Sequence, residues 1–275
     1  MSNEVSRNEK AAKSSAKLVL ALFITGGIAA WGIADTKGLA DLAQSVVGFY
    51  FTSRGWFVML TVSVLLITAI GLAFSPYGRI VLGKDDDKPE FSTPEWLSML
   101  FAAGMGVGLL YWGSAEPITH YLIARDYMGE GDAATAALFA TNFHWGLHAW
   151  AIYAIMGMII AYFSFRRNCP TLLSTPIELV FGKRLWTRSI GWLSDVMAII
   201  AIASGLGGSM AMGVFQVQGG IESILGIEPV GLSLTLTVFA VLCAAYVLPL
   251  LLPLDRGMSL MSEAAMVIAG ALMIF

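Results

Sequence analysis

The sequence predicts an all-α integral membrane protein with about seven membrane-spanning helices. Three observations carry this. Of 275 residues, 57% are hydrophobic, 29 more are glycine and only 13% are charged; soluble domains hold about 25% charged residues. The mean hydropathy is +0.75. Apolar runs recur over residues 17–34, 56–75, 94–113, 133–163, 189–221, 231–252 and 259–275, and a spanning helix needs about 20 predominantly apolar residues. Soluble globular, disordered and fibrous classes are excluded.

The elements follow in chain order. Residues 1–16 are polar, with Arg7, Lys10 and Lys13, and read as a cytosolic tail ahead of a transmembrane domain over 17–275. The run 17–34 is long enough to span and no cleavage pattern follows it, so it reads as an uncleaved first helix. Residues 38–54 are mixed and poor in charge, which predicts an amphipathic helix lying on the outer membrane surface. The run 56–75 is the second span. Residues 94–113 form the third, after which Glu116 and Pro117 are expected to end the helix at the external face. The loop 114–132 carries His120 and four acidic residues. The runs 133–163 and 189–221 exceed a bilayer's need and imply tilt or extension beyond it. Pro249 and Pro253, followed by Asp255-Arg256-Gly257, are expected to end the sixth span and turn the chain into the seventh. The chain stops at Ala-Leu-Met-Ile-Phe inside an apolar run, as expected of a fragment of a longer protein.

Charge sets the orientation. With the N-terminus inside and spans alternating, cytosolic segments hold 13 basic residues, including Arg79, Lys84, Arg166, Lys183 and Arg256. External segments hold Lys37, Arg54 and Arg125 alone. The positive-inside rule fits this arrangement and rejects its inverse. The plasma (inner) membrane with a cytosolic N-terminus is the expected location. Net charge is −3, so no basic stripe exists to hold nucleic acid. Cys169 and Cys243 lie in no CxxC or Cys/His cluster; a disulfide framework or structural zinc is not expected, and Cys243 reads as a buried packing residue.

Several residues stand out chemically. Gly104, Gly106 and Gly108 alternate within the third span, flanking Met105. Glycine weakens a helix by about 1 kcal/mol per position. The stretch reads either as a GxxxG packing face or as an unwound segment whose backbone groups hold an ion or solute. In the fourth span Trp145, Trp150 and Tyr153 fall at about 0°, 140° and 80° around a continuous helix. They share one broad face, deep in the run. Such a face can enclose a quaternary ammonium by cation–π attraction, or pack as ordinary aromatics. His144 and His148, four apart, read as hydrogen-bonded helix residues; the alternative is a haem or metal site of a membrane oxidoreductase. Asp195 and Glu263 are intramembrane acids near cytosolic helix ends and read as structural, with Arg188 near Asp195. The stretch Ser204-Gly205-Leu206-Gly207-Gly208-Ser209 permits close helix approach or a bend.

The combination is then recognisable. A loop Gly83-Lys84-Asp85-Asp86-Asp87-Lys88-Pro89-Glu90-Phe91 leads into Met-Leu-Phe-Ala-Ala-Gly-Met-Gly-Val-Gly. Tyr-Trp-Gly-Ser-Ala-Glu-Pro-Ile-Thr-His-Tyr follows, then His-Trp-Gly-Leu-His-Ala-Trp-Ala-Ile-Tyr. This resembles the betaine/carnitine/choline transporter (BCCT) family, from about Trp31 to Gly257. The resemblance implies a LeuT-like fold of two inverted repeats after two N-terminal helices. Residues 94–275 would be the first repeat, and the second would be missing. It implies secondary transport, by symport or exchange, of betaine, choline, carnitine or related onium solutes. It implies a homotrimer when full-length, no catalysis and no cofactor beyond a coupling sodium ion. By position, Trp145, Trp150 and Tyr153 match the family's aromatic box, and Gly104–Gly108 match its unwound stretch. Ala102 and Met105 match backbone sodium ligands. The threonine pair of sodium-coupled members falls at Ile202 and Leu206, which offer no oxygen. Without a second repeat, the chain alone is expected to be inactive in transport.

Overall fold

The computed structural model describes residues 2–104, 106–228, 231–247, 251 and 254–274; within these, only the backbone is described for residues 2–15, 130, 254–256 and 273. Ten α-helices occupy the described residues: α1 Ser2–Ala34, α2 Thr36–Phe74, α3 Thr93–Gly104, α4 Val107–Met128, α5 Glu130–His144, α6 Leu147–Ala161, α7 Ser174–Phe181, α8 Leu185–Leu225, α9 Gly231–Val247 and α10 Leu254–Ile274. A π-helical turn, Tyr162–Arg166, extends α6. No strand occurs among the described residues.

Four segments are long and apolar enough to cross a membrane: Ala16–Ala34, Thr36–Phe74, Gly131–Arg166 and Leu185–Leu225. The bent pair α3 and α4 makes a fifth if it is one span. Gly231–Val247 and Gly257–Leu272 are shorter apolar helices. Helix occupies most of the described residues of all seven apolar runs, but four or five of them, rather than the expected seven, form helices long and apolar enough to span.

The polar residues before the first run are helical too, since no proline or glycine interrupts 2–25 and Ala, Glu and Lys favour helix. Three expectations are corrected. No break separates a surface helix over 38–54 from the span that follows. Instead α2 runs 39 residues, about 58 Å at 1.5 Å per residue, twice a bilayer core of about 30 Å. Its hydroxyls are satisfied within the helix: Thr52 donates to Gly48 O at 2.8 Å, Thr61 to Phe57 O at 2.8 Å and Thr68 to Val64 O at 2.7 Å. That removes the reason for the mixed segment to leave the helix. The supposed loop 114–132 is mostly helical, because α4 continues through Pro117 to Met128. Proline there lacks an N–H and leaves the Gly113 carbonyl without its helical donor, yet the turns on either side hold the helix. Finally, the glycine stretch 204–209 is helical within α8; a Cβ at Gly205, Gly207 or Gly208 would meet nothing within 4 Å.

The chain divides into two compact units, residues 1–87 with 142–204, and residues 88–141 with 205–275. In the first, α2 packs along α6, and α1 meets α2 at Asp35. Asp35 caps α2 by accepting the Gly38 N–H at 2.9 Å, which allows a one-residue connection between the two helices. The loop after α2 is held by Arg166, which donates to the carbonyls of Val81 and Gly83 at 3.2 and 3.0 Å and pairs with Asp85 at 2.7 Å. In the second unit α3 packs on α10. The start of α3 is a capping box: Ser92 N–H donates to Glu95 at 2.7 Å and Glu95 N–H to the Ser92 hydroxyl at 3.5 Å. The Ser92-x-x-Glu95 spacing carries that signal in the sequence. Pro249 and Pro253 lie outside the described residues; α9 ends at Val247, and Asp255, Arg256 and Gly257 belong to the first turn of α10. Cys169 and Cys243 are both free and half-buried, so Cys243 is not fully enclosed as expected.

Candidate functional site

In the first unit, the aromatic residues sit at a helix break that the sequence reading takes for continuous helix. α5 ends at His144, and α6 starts at Leu147. Trp145 and Gly146 form the turn between them. In unbroken helix the Trp145 carbonyl would accept the N–H of Ala149. Here it accepts the Trp150 indole N–H instead, at 2.9 Å. The break thus creates an acceptor, and Trp150 fills it. This fixes the indole on the first turn of α6, where its ring lies 5.9 Å from that of Tyr153 at 41°. Tyr153 remains 73% exposed and Trp150 is half-buried, so the open aromatic face is chiefly that of Tyr153. The turn and α6 bring Trp150 and Tyr153 side by side and tie the Trp145 main chain to them, while the Trp145 ring lies 6.0 Å from that of His144.

Gly146 is what permits this turn. Its backbone is extended (φ −86°, ψ −162°), and a Cβ there would stand 2.9 Å from the Asn142 carbonyl and 3.2 Å from that of Phe143. Both obstacles are main chain and cannot swing aside. Gly146→Ala is expected to shift the turn, lower thermal stability by several degrees and weaken solute binding, read together by melting and ligand titration; unchanged values in both would show that the turn tolerates a side chain.

The break also undoes the histidine pair. His144 closes α5, and His148 lies beyond the turn with its ring 4.7 Å from Phe143. Their sequence spacing of four therefore no longer places them one above the other. No group of three or more His, Cys, Asp or Glu side chains able to hold a metal occurs among the described residues.

In the second unit, the glycine stretch resolves in favour of the broken helix. Gly104 is the last residue of α3, Gly106 lies in the break and Gly108 in the first turn of α4. The two helices bend by 51°. Met105 lies outside the described residues. Gly106 offers no side-chain cap, while its carbonyl accepts from Leu109 at 3.1 Å and Leu110 at 3.4 Å. Main-chain N–H groups at such a half-helix start are suited to an anion, and carbonyls at the preceding helix end to a cation. Ala102 is in the last turn of α3. Further along α4, Glu116 is buried mid-helix rather than terminating it. It sits 3.4 Å from His120 one turn on; His120 is thus a helix residue.

Two polar partnerships escape sequence reasoning. Asp195 is buried, and its partner is Lys17 of α1 at 2.5 Å rather than Arg188. It also accepts the Ser174 N–H at 2.9 Å and the Ser174 hydroxyl at 2.7 Å, at the start of α7. Gln216 of α8 donates to the Leu110 carbonyl of α4 at 3.0 Å. Glutamine within an apolar span is the only signal the sequence offers for the second. Glu263, by contrast, is exposed and accepts from Ser259 at 3.3 Å. Ile202 and Leu206 are exposed residues of α8, at 70% and 62%.

Comparison with known proteins places these features. Residues 17–275 match the model of "BCCT, betaine/carnitine/choline family transporter". The chain is 39% identical over 259 residues to the glycine betaine transporter OpuD of Bacillus subtilis, covering 93% of this chain and 50% of that protein. It is 39% identical over 229 residues to a glycine betaine/proline/choline/ectoine transporter of Vibrio parahaemolyticus, covering 80% and 40%. It is 33% identical over 250 residues to the betaine/ectoine transporter LcoP of Corynebacterium glutamicum, covering 90% and 39%. The chain spans about half the length, or less, of these curated relatives. A transporter family rather than an enzyme family accounts for the fold, which removes the oxidoreductase alternative built on His144 and His148. With the family model matched from residue 17 to the last residue, the chain is a multi-pass membrane protein belonging to the betaine/carnitine/choline transporter family.

Proposed function

We propose that this chain supplies the solute-recognising half of a secondary transporter for glycine betaine, choline, carnitine or related onium solutes. The observation that carries the reading is the Trp145–Gly146 turn, which holds Trp150 beside the open aromatic face of Tyr153. A quaternary ammonium cannot accept or donate a hydrogen bond through its methyl groups, so π faces are the fitting receptor. Cation–π attraction contributes about 2 kcal/mol when desolvated. Trp145, Trp150 and Tyr153 would hold the onium head. Gly104, Met105, Gly106 and Gly108 would give backbone groups to the solute, and Ala102 with Met105 would give carbonyls to a coupling sodium ion. Ile202 and Leu206 supply no oxygen, which argues against a second sodium site there.

The architecture is inferred to be LeuT-like: two N-terminal helices, then residues 94–275 as the first of two inverted repeats. The broken α3–α4 pair supports it, since such folds place a discontinuous helix at the binding site. The N-terminus is inferred to be cytosolic in the plasma membrane. Two contacts support that sidedness: Lys17 with Asp195, and Arg166 with residues 81–85, each join segments that the basic-residue count assigns to the same side. A homotrimer is the assembly the family resemblance implies.

Uptake of labelled glycine betaine and choline into cells lacking their own transporters tests the reading. The 275-residue chain is compared with the same chain extended by a second repeat. Uptake by the extended form alone is the expected result. Uptake by the short chain would mean that repeats pair between copies, and no uptake by either would remove the onium assignment.

A further inference from the structure

We propose that Gln216 is a positioning residue for the broken helix: its side-chain amide sets the first turn of α4 and so the backbone groups presented at the break. This rests on the reading of the Gly104–Gly108 stretch as part of the solute and ion path.

Gln216 Nε2 donates to the Leu110 carbonyl at 3.0 Å, across 106 positions of chain. Leu110 is the fourth residue of α4, so the bond lands within one turn of the break. Three residues earlier on α8, and therefore on the same face, buried Gly213 lies against Val107. A Cβ at 213 would stand 3.5 Å from a Val107 methyl and 3.9 Å from Leu242. Position 213 thus touches the first residue of α4, and position 216 holds the fourth. α4 has no cap of its own, because Gly106 carries no side chain to accept its leading N–H groups. Its start is fixed from α8.

Gln218 shows that this task is specific. Two residues on, it projects about 200° away around the helix. It accepts the Thr235 hydroxyl of α9 at 2.7 Å and donates to Glu222 at 2.9 Å. The two glutamines therefore serve different neighbours. In a lipid-facing span, van der Waals packing and interhelical hydrogen bonds replace the hydrophobic effect as the force between helices. A polar side chain bonded to a neighbour's main chain constrains that neighbour's rotation without depending on its side chains.

The test compares Gln216→Met and Gln218→Met in the full-length transporter. Each loses the amide at nearly constant size. Glycine betaine uptake kinetics, surface abundance and hydrogen exchange of residues 106–114 are measured together. For Gln216→Met the half-saturation concentration is expected to rise about fivefold, with maximal rate within about twofold, as for loss of one interhelical bond. Exchange over 106–114 rises in parallel. Gln218→Met leaves the half-saturation value and that segment's exchange unchanged. Should Gln216→Met fail to reach the membrane, Gln216→Glu serves in its place, since an ionised carboxylate keeps the shape and lacks the donor. A wild-type half-saturation value in the Gln216 variant, or an equal rise in Gln218→Met, overturns the proposal. Trp150→Ala is run alongside. If it too binds normally, the site reading fails; if it alone is impaired, only the role of Gln216 fails.

Discussion

In the full-length transporter, Trp150→Ala is expected to raise the half-saturation concentration for glycine betaine by at least about tenfold. Two losses combine. The indole face disappears, with cation–π attraction of about 2 kcal/mol, and each 1.4 kcal/mol is a factor of ten in affinity. The indole N–H also disappears, and with it the half-buried bond to the Trp145 carbonyl at 2.9 Å. Losing one such hydrogen bond costs about 0.5–1.5 kcal/mol, which loosens the turn carrying Trp145. Trp150→Phe separates the two. It keeps a ring for the onium head and loses only the N–H, so its half-saturation shift is expected to be the smaller while its thermal stability falls with that of the alanine variant. Uptake kinetics beside melting curves read both effects. A normal half-saturation value in Trp150→Ala would remove these aromatics from the binding site.

The membrane class was fully legible, because hydropathy over about 20 residues is a local property of the chain. So was the break at Gly104–Gly108, once glycine's low helix propensity was set beside the family pattern. The break at Trp145–Gly146 was not. A single glycine in a long apolar run costs about 1 kcal/mol, which does not by itself stop a helix, and the compensating bond from Trp150 to Trp145 depends on a rotamer. The same blindness explains the error at Glu116-Pro117. Proline marks a helix end by default, but the default fails where the surrounding turns already hold. The partner of Asp195 illustrates a further limit. Arg188 is seven residues away and Lys17 is 178 away, and only tertiary folding selects between them. Side-chain contacts at long range carry no periodic trace in sequence.

Asp195→Ala is expected to cost more in folding than any other single change in the first unit. The carboxylate accepts three donors: the Lys17 ammonium, the Ser174 N–H and the Ser174 hydroxyl. It joins α1 to α8 while standing at the N-terminus of α7, where negative charge is favourable. Gly191, one turn before Asp195, makes the approach possible, since a Cβ there would lie 2.8 Å from that of Ser174. Removing the carboxylate leaves an ammonium that is 17% exposed without its counter-charge. Breaking a buried pair from one side costs about 3–5 kcal/mol, against total stabilities of about 5–15 kcal/mol. The melting temperature should therefore fall by on the order of 10 °C, at about 2–4 °C per kcal/mol for a chain of this size. Lys17→Met should be milder, because the remaining carboxylate keeps both Ser174 donors. The double variant Lys17→Met/Asp195→Asn should recover most of the loss, because no uncompensated charge remains and the amide oxygen still accepts from Ser174. Detergent-solubilised melting curves of the three variants give the ordering. Equal melting of Asp195→Ala and wild type would mean that the cluster holds nothing, and failure of the double variant to improve on Asp195→Ala would place the cost in shape rather than charge.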